Sequence, residues 1–263
     1  MSLPPDATNL PIAPWPLGLR GRDAIIVGGT FDPPHAGHVA LAAAARDARA
    51  PGAGLVFVPA HRSPFKQGAR EQTIAAHRVT MLRLAISTVP NAAVWTDEID
   101  RGTRVPEAPS YTINTLTRAK QVAAEQLSTL WIMLGADQMA QFHRWREPRG
   151  VLSLARPIVL LRPPLDTVPA LREAMAGVME PSAAHETSQA TQHESRAAVR
   201  RFWSEAELDL CCRDTVALDP RFAPISSSAI RSIIADRGVA AVPHGWLAPE
   251  VATYIGEHGL YQR

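Results

Sequence analysis

No apolar run in the chain approaches the ~18 to 20 residues that a membrane-crossing helix needs. The first residues also lack the basic and apolar stretches of a secretion signal. The expectation is a cytoplasmic protein with no membrane partner. Cysteine is scarce. Cys211 and Cys212 stand side by side, a spacing that makes neither a C-x-x-C metal knuckle nor a disulfide framework, and a reducing compartment fits. An excess of one charge is missing too: Lys+Arg 27 against Asp+Glu 25 leaves +2. Apart from short clusters such as residues 196–201 there is no basic stripe of the kind nucleic-acid binders concentrate, so no nucleic-acid partner is expected. No internal repeat stands out, and nothing in the sequence fixes an oligomeric state.

Hydrophobic residues make up 46% of 263 residues, which can supply the core of one large domain. Proline crowds the start, with Pro4, Pro5, Pro11, Pro14 and Pro16 inside residues 1–22. That density excludes a helix or an interior strand and predicts a flexible or surface-hugging arm, with Trp15 as its anchor. A single domain is expected over residues 23–263, carrying a mobile polar insertion at 180–197 and a helical C-terminal part over 224–263.

The chain is organised around residues 23–50. A short β-branched run, 23–27, reads as a strand buried on both faces. Gly28 and Gly29 end it and let the backbone approach a ligand without a Cβ in the way. Pro33 and Pro34 stiffen the turn, and an alanine-rich helix follows to Pro51. Backbone N–H groups in such a turn, with the positive end of a helix, make a seat for an anion. His35 and His38, three apart, share the first helical turn and point the same way. Read alone, an H-x-x-H pair is also compatible with a solvated helix start or half a zinc site, although zinc needs three or four ligands.

Further along, short apolar strands are expected at 55–58, 92–95, 131–134, 157–161 and 215–218. Between and after them, helices are expected at 72–88, 110–126, 138–155 (broken at Pro148), 165–179, 228–237 and 249–258. The strict alternation argues a doubly wound parallel α/β sheet with right-handed crossovers. Two more stretches carry chemistry. Gly135 and Asp137 end the fourth strand, where Asp137 suits either a ribose hydroxyl or a helix cap. Ile225, Ser226, Ser227, Ser228 and Arg231 form a serine loop entering a helix, suited to an anion or to plain capping.

The segment GGTFDPPHAGH resembles the T/H-x-G-H signature of the nucleotidylyltransferase superfamily, and is similar to that of bacterial nicotinate-nucleotide adenylyltransferases. The family's G-x-D, P-S-Y-T and I-S-S-T-x-I-R segments are matched in order, with Ser228 in place of threonine. The resemblance implies a Rossmann-like fold and a catalytic set of His35, His38 and Arg231. It places Gly28, Gly29, Thr30, Phe31, Gly135, Asp137, Ile225, Ser226, Ser227 and Ser228 against ATP. Lys66, Tyr111, Thr112, Trp145 and Arg162 are implied on the nicotinate-mononucleotide side, with Phe65 standing where the family has histidine. The implied reaction is adenylyl transfer from ATP to nicotinic acid mononucleotide, giving deamido-NAD and pyrophosphate. Mg²⁺ would be held mainly by ATP phosphates, with no dedicated metal-ligand set in the protein. Use of the amide mononucleotide, phosphopantetheine as acceptor, a tRNA-binding relative and a catalytically dead nucleotide sensor are the alternatives.

Overall fold

The computed structural model describes residues 10–16, 18–62, 73–179 and 201–262. Strands β1 (Asp23–Gly29), β2 (Gly54–Pro59), β3 (Ala92–Val94), β4 (Thr129–Gly135), β5 (Arg156–Leu161) and β6 (Thr215–Ala217) form one sheet. Their order is β3-β2-β1-β4-β5-β6, and every neighbouring pair runs parallel. The winding reverses between β1 and β4, so the chain leaves the sheet in opposite directions at Gly29 and Gly135. A crevice opens there, where doubly wound sheets take ligands.

Alternate residues of the strands feed two cores, as the pleat requires. Ile26, Val56, Ile132 and Val159 face one side, against Leu116 of α4 (Thr112–Val122), Val151 of α6 (Pro148–Leu154), Leu171 of α7 (Val168–Ala176) and Leu208 of α8 (Glu205–Arg213). Ile25, Val27, Leu55 and Ile158 face the other, against Ala42 and Ala45 of α1 (Ala36–Arg49) and Leu82 of α2 (Ala75–Ala85). A third cluster joins Met81 of α2 to Ile230 and Ile234 of α9 (Ser227–Arg237) and to Val251 and Ile255 of α10 (Pro249–Glu257). It seats the C-terminal helices beside α2. Cys211 and Cys212 are free and buried, and burial pushes the Cys211 thiol up to about 12.

Three elements depart from the sequence expectation. The long helix over 138–155 is instead α5 (Ala136–Ala140), a 3₁₀ turn at Phe142–Arg144 and then α6. Glu147 takes φ of +50°, and Pro148 opens α6 in the first turn, where its missing N–H costs nothing. Helix α8 was not anticipated, although its capping box is legible as S-x-x-E: Ser204 and Glu207 hydrogen-bond each other's backbone N–H. Helix α3 (Asp97–Arg104) was also missed. It inverts the usual pattern, with Asp97, Glu98 and Arg101 turned inward.

That inward charge receives the arm. Arg118 donates to the carbonyls of Leu10 and Pro11, both at 2.9 Å, and the Trp95 indole donates to the Ala13 carbonyl at 3.1 Å. The Ala13 N–H reaches Asp97 Oδ1 at 3.0 Å, and Trp15 packs edge-on against Trp95. Leu10, Pro11 and Ala13 thus have backbone polar groups met by Trp95, by Asp97 of α3 and by Arg118 of α4. The expected insertion at 180–197 and Lys66 lie outside the described residues.

Candidate active site

The turn after β1 is held from the far end of the chain. The Thr30 carbonyl accepts from Arg78 at 2.7 Å, the Asp32 carbonyl from Arg231 at 2.6 Å and the Pro33 carbonyl from the Ser227 hydroxyl at 2.8 Å. The Asp32 carboxylate accepts the Tyr261 hydroxyl at 2.6 Å and the Thr73 N–H at 3.4 Å. Ala36, the first residue of α1, donates its N–H to Trp246. Phe31 sits at φ +51°, a strained conformation for a residue with a side chain, and its surroundings enforce it. Its ring is buried beneath Gly29, where a Cβ would come within 3.0 Å, and packs edge-on against His38 and Phe57. Phe31, implied as an ATP contact, has its ring packed beneath the turn.

The imidazoles stack at 3.7 Å between ring centroids. The His35 N–H donates to His38 Nδ1 at 3.3 Å, which puts the His38 proton on Nε2 when the ring is neutral. Gly37 lies between them because a Cβ there would come within 3.1 Å of His35 Nδ1. His35 is buried, its Nδ1 has no hydrogen-bond partner among the described residues, and desolvation lowers its pKa to about 4. A buried ring nitrogen lining a cleft can donate to an incoming anion when it carries the proton.

The low pKa also has a stability consequence. The unfolded chain protonates this imidazole near the ordinary histidine value of 6.5 while the folded one resists to about 4. Stability therefore falls as pH drops through that window, with this residue contributing a loss of about 2 kcal/mol between pH 7 and pH 5. Urea unfolding at both pH values should show a smaller acid loss in His35→Asn. An identical loss in both proteins would contradict the assignment.

Histidines and serine loop share one cleft of about 530 Å³. Gly28, Gly29, Thr30, His35 and His38 line one side, Gly135, Asp137 and Arg162 the rim, and Ile225, Ser226, Ser227, Ser228 and Arg231 the other side. The three serine hydroxyls have distinct partners. Ser226 caps α9 by accepting the Ala229 N–H, Ser227 donates to Pro33, and Ser228 accepts from Arg231 at 3.3 Å. The Asp32 carbonyl and the Ser228 hydroxyl engage two of the five donors of the Arg231 guanidinium.

A second pocket of about 440 Å³ opens on the other side of Gly28, Gly29 and Thr30, and Met133, Leu134 and Gln138 also line both. Tyr111, Thr112 and Trp145, implied on the mononucleotide side, wall it, and the Arg146 guanidinium lies 4.9 Å over the Tyr111 ring. Arg162, implied on the mononucleotide side with them, lines the first cleft, in an ion pair of 2.7 Å with Asp137. Asp137 is therefore already paired. Glu98, Ser110, Gln138 and Arg146 also line the second pocket and were not picked out from the sequence. Ser110 lay within the P-S-Y-T segment, but the other three carry no local signal of a site.

A family model described as cytidylyltransferase-like matches residues 26–233. A "probable nicotinate-nucleotide adenylyltransferase" of Stenotrophomonas maltophilia is 31% identical over 241 residues, covering 90% of this chain and 96% of the relative. One of Laribacter hongkongensis, with the same name, is 33% identical over 245 residues, covering 90% and 93%. The chain belongs to the nicotinate-nucleotide adenylyltransferase family. The fold agrees: the Plasmodium falciparum nicotinic acid mononucleotide adenylyltransferase, solved with APC and with NaAD, superposes with a TM-score of 0.60 at 14% identity. The superposition covers 92% of this chain and 98% of that one.

Proposed function

We propose that the protein transfers the adenylyl group of ATP to nicotinic acid mononucleotide, releasing pyrophosphate and forming deamido-NAD. The observation that carries this reading is the adjacency of the two pockets. An anion-binding cleft and an aromatic-walled pocket share the Gly28–Gly29–Thr30 backbone, so two substrates can meet across it. The acceptor's 5′-phosphate is already a nucleophile and attacks the α-phosphorus in line, so no covalent intermediate or protein base is required. Backbone N–H groups at Gly29 and Thr30, with His35 and His38, stabilise charge developing on the α-phosphoryl oxygens. Arg231 and the serine turn hold the departing pyrophosphate.

Magnesium enters as part of the substrate, on the triphosphate. Among the described residues no cluster of three or more His, Cys, Asp or Glu could hold a metal. The Asp32 carboxylate is engaged by Tyr261 and Thr73, and Asp137 by Arg162. Phosphate oxygens are thus the fitting ligands.

Trp145 packs against Phe142 at the pocket wall and offers an indole face for offset stacking on the pyridine ring. Trp145→Ala should raise KM for the mononucleotide roughly tenfold, the equivalent of ~1.4 kcal/mol, and leave KM for ATP nearly unchanged. Equal effects on both would make it an ordinary core residue. The reaction itself is tested by pyrophosphate release with ATP and Mg²⁺, comparing the acid mononucleotide, its amide and phosphopantetheine. The acid form should turn over fastest, and exclusive turnover of either other acceptor would overturn this assignment.

A further inference from the structure

An acid lines the cleft that the reading above gives to a triphosphate. Asp32 is buried and borders it together with His35, His38 and Arg231. A carboxylate turned into that cleft would repel phosphate and attract the guanidinium. Neutral donors hold both of its oxygens. The Tyr261 hydroxyl donates to Oδ1 at 2.6 Å, and the Thr73 N–H donates to Oδ2 at 3.4 Å. The neighbouring arginines are bonded to main-chain carbonyls: Arg231 to that of Asp32 at 2.6 Å, Arg78 to those of Thr30 and Thr73 at 2.7 and 3.0 Å.

Tyr261 makes the shorter of the two bonds to the carboxylate, and it reaches across 229 positions of chain to do so. It follows α10 through a turn and takes φ of +64°, a conformation that a residue with a side chain rarely adopts. Its ring packs in the third core cluster with Ile230 and Ile234 of α9 and Ile255 of α10. The cluster that seats the helix bearing Arg231 therefore also aims the hydroxyl. Burial, with the bond to Asp32 adding to it, pushes the Tyr261 phenol well above its usual range, so the group stays a donor.

Arg231 thus bonds the carbonyl of the same residue whose side chain Tyr261 restrains. Without the hydroxyl, a buried carboxylate short of a donor lies within a side chain's reach of that guanidinium. An ion-paired hydrogen bond between them is stronger than the bond to a neutral carbonyl. It would draw Arg231 away from the phosphates.

We propose that Tyr261 is a positioning residue for the triphosphate: by tying back the Asp32 carboxylate it keeps Arg231 on the Asp32 carbonyl and open to phosphate. This rests on the first cleft being the triphosphate site.

The test is calorimetric titration of the full chain with Mg²⁺ and a non-hydrolysable ATP analogue. Tyr261→Phe, which leaves the ring in its cluster, should raise Kd about tenfold. In an Asp32→Asn background the same change should alter Kd less than about threefold, because an amide does not attract the guanidinium. A merely structural bond predicts the same factor in both backgrounds, since the asparagine oxygen still accepts the hydroxyl, and that result overturns the proposal. The comparison of Asp32→Asn with the double variant can be made even where Tyr261→Phe alone fails to fold: a difference of about tenfold between those two also overturns it. In steady-state kinetics Tyr261→Phe should raise KM for ATP and keep KM for nicotinic acid mononucleotide within about twofold, whereas equal changes in both contradict the assignment. If the wild type does not bind the analogue, the triphosphate reading of the cleft fails and the role of Tyr261 with it. If wild type and Tyr261→Phe bind it equally, only the role of Tyr261 fails.

Discussion

His38→Ala is expected to lower kcat by about 10²- to 10³-fold while KM for ATP changes little. The ring lies 3.7 Å from that of His35, lines the cleft and packs edge-on against the buried Phe31 ring, so its direction is set before substrate arrives. A preorganised donor of this kind acts on charge that appears only in the transition state, which is why the loss should fall on turnover rather than on ATP binding. The structural cost is small by comparison. The ring nitrogen accepts one N–H bond, from His35, whose net contribution is about 1 kcal/mol. Turnover within a few-fold of wild type would remove His38 from the reaction.

The second large effect concerns stability. Asp97 is fully buried and accepts from Arg101 Nε at 3.1 Å, Arg118 Nε at 2.7 Å, Arg118 Nη2 at 2.8 Å and the Ala13 N–H. Asp97→Asn keeps the shape and removes the charge, leaving two buried guanidinium groups short of a counter-ion. Breaking a buried pair in this way costs about 3 to 5 kcal/mol, and urea unfolding should show a large fall in midpoint at similar slope. Glu98, next along α3, does not replace the lost charge, because its carboxyl is directed at Thr115. A midpoint shift worth under about 1 kcal/mol would mean that the arm and the two arginines are held by something other than Asp97.

The parts of the molecule that could be read from sequence are those whose causes are local. The buried strands β1, β2 and β4 declare themselves by short aliphatic and β-branched runs ended by glycine or proline, and the helix starts at Ala36 and Ser227 by their neighbouring residues. The histidine pair and serine loop were legible for the same reason, since each is a contiguous segment with a definite spacing. What sequence could not reveal depends on partners far along the chain. The arm reads as loop from its prolines, yet its anchors Trp95, Asp97 and Arg118 lie about 80 to 110 positions away. Helix α3 carries no apolar face to announce it, because its charges are satisfied only when α4 and the arm close over them. Arg162 is drawn to the first cleft by Asp137, a pairing between the ends of neighbouring strands that neither residue signals alone.

The central claim is that a pair of imidazoles near the start of the chain and a serine–arginine turn near its end clasp the same triphosphate. A crystal structure with Mg²⁺ and a non-hydrolysable ATP analogue tests this directly. The account predicts α-phosphoryl oxygens within hydrogen-bond distance of His35 or His38, and β- or γ-phosphate oxygens within that distance of Arg231 and the Ser226–Ser228 backbone. A triphosphate lying in the pocket walled by Tyr111 and Trp145, or touching only one of the two segments, would contradict it.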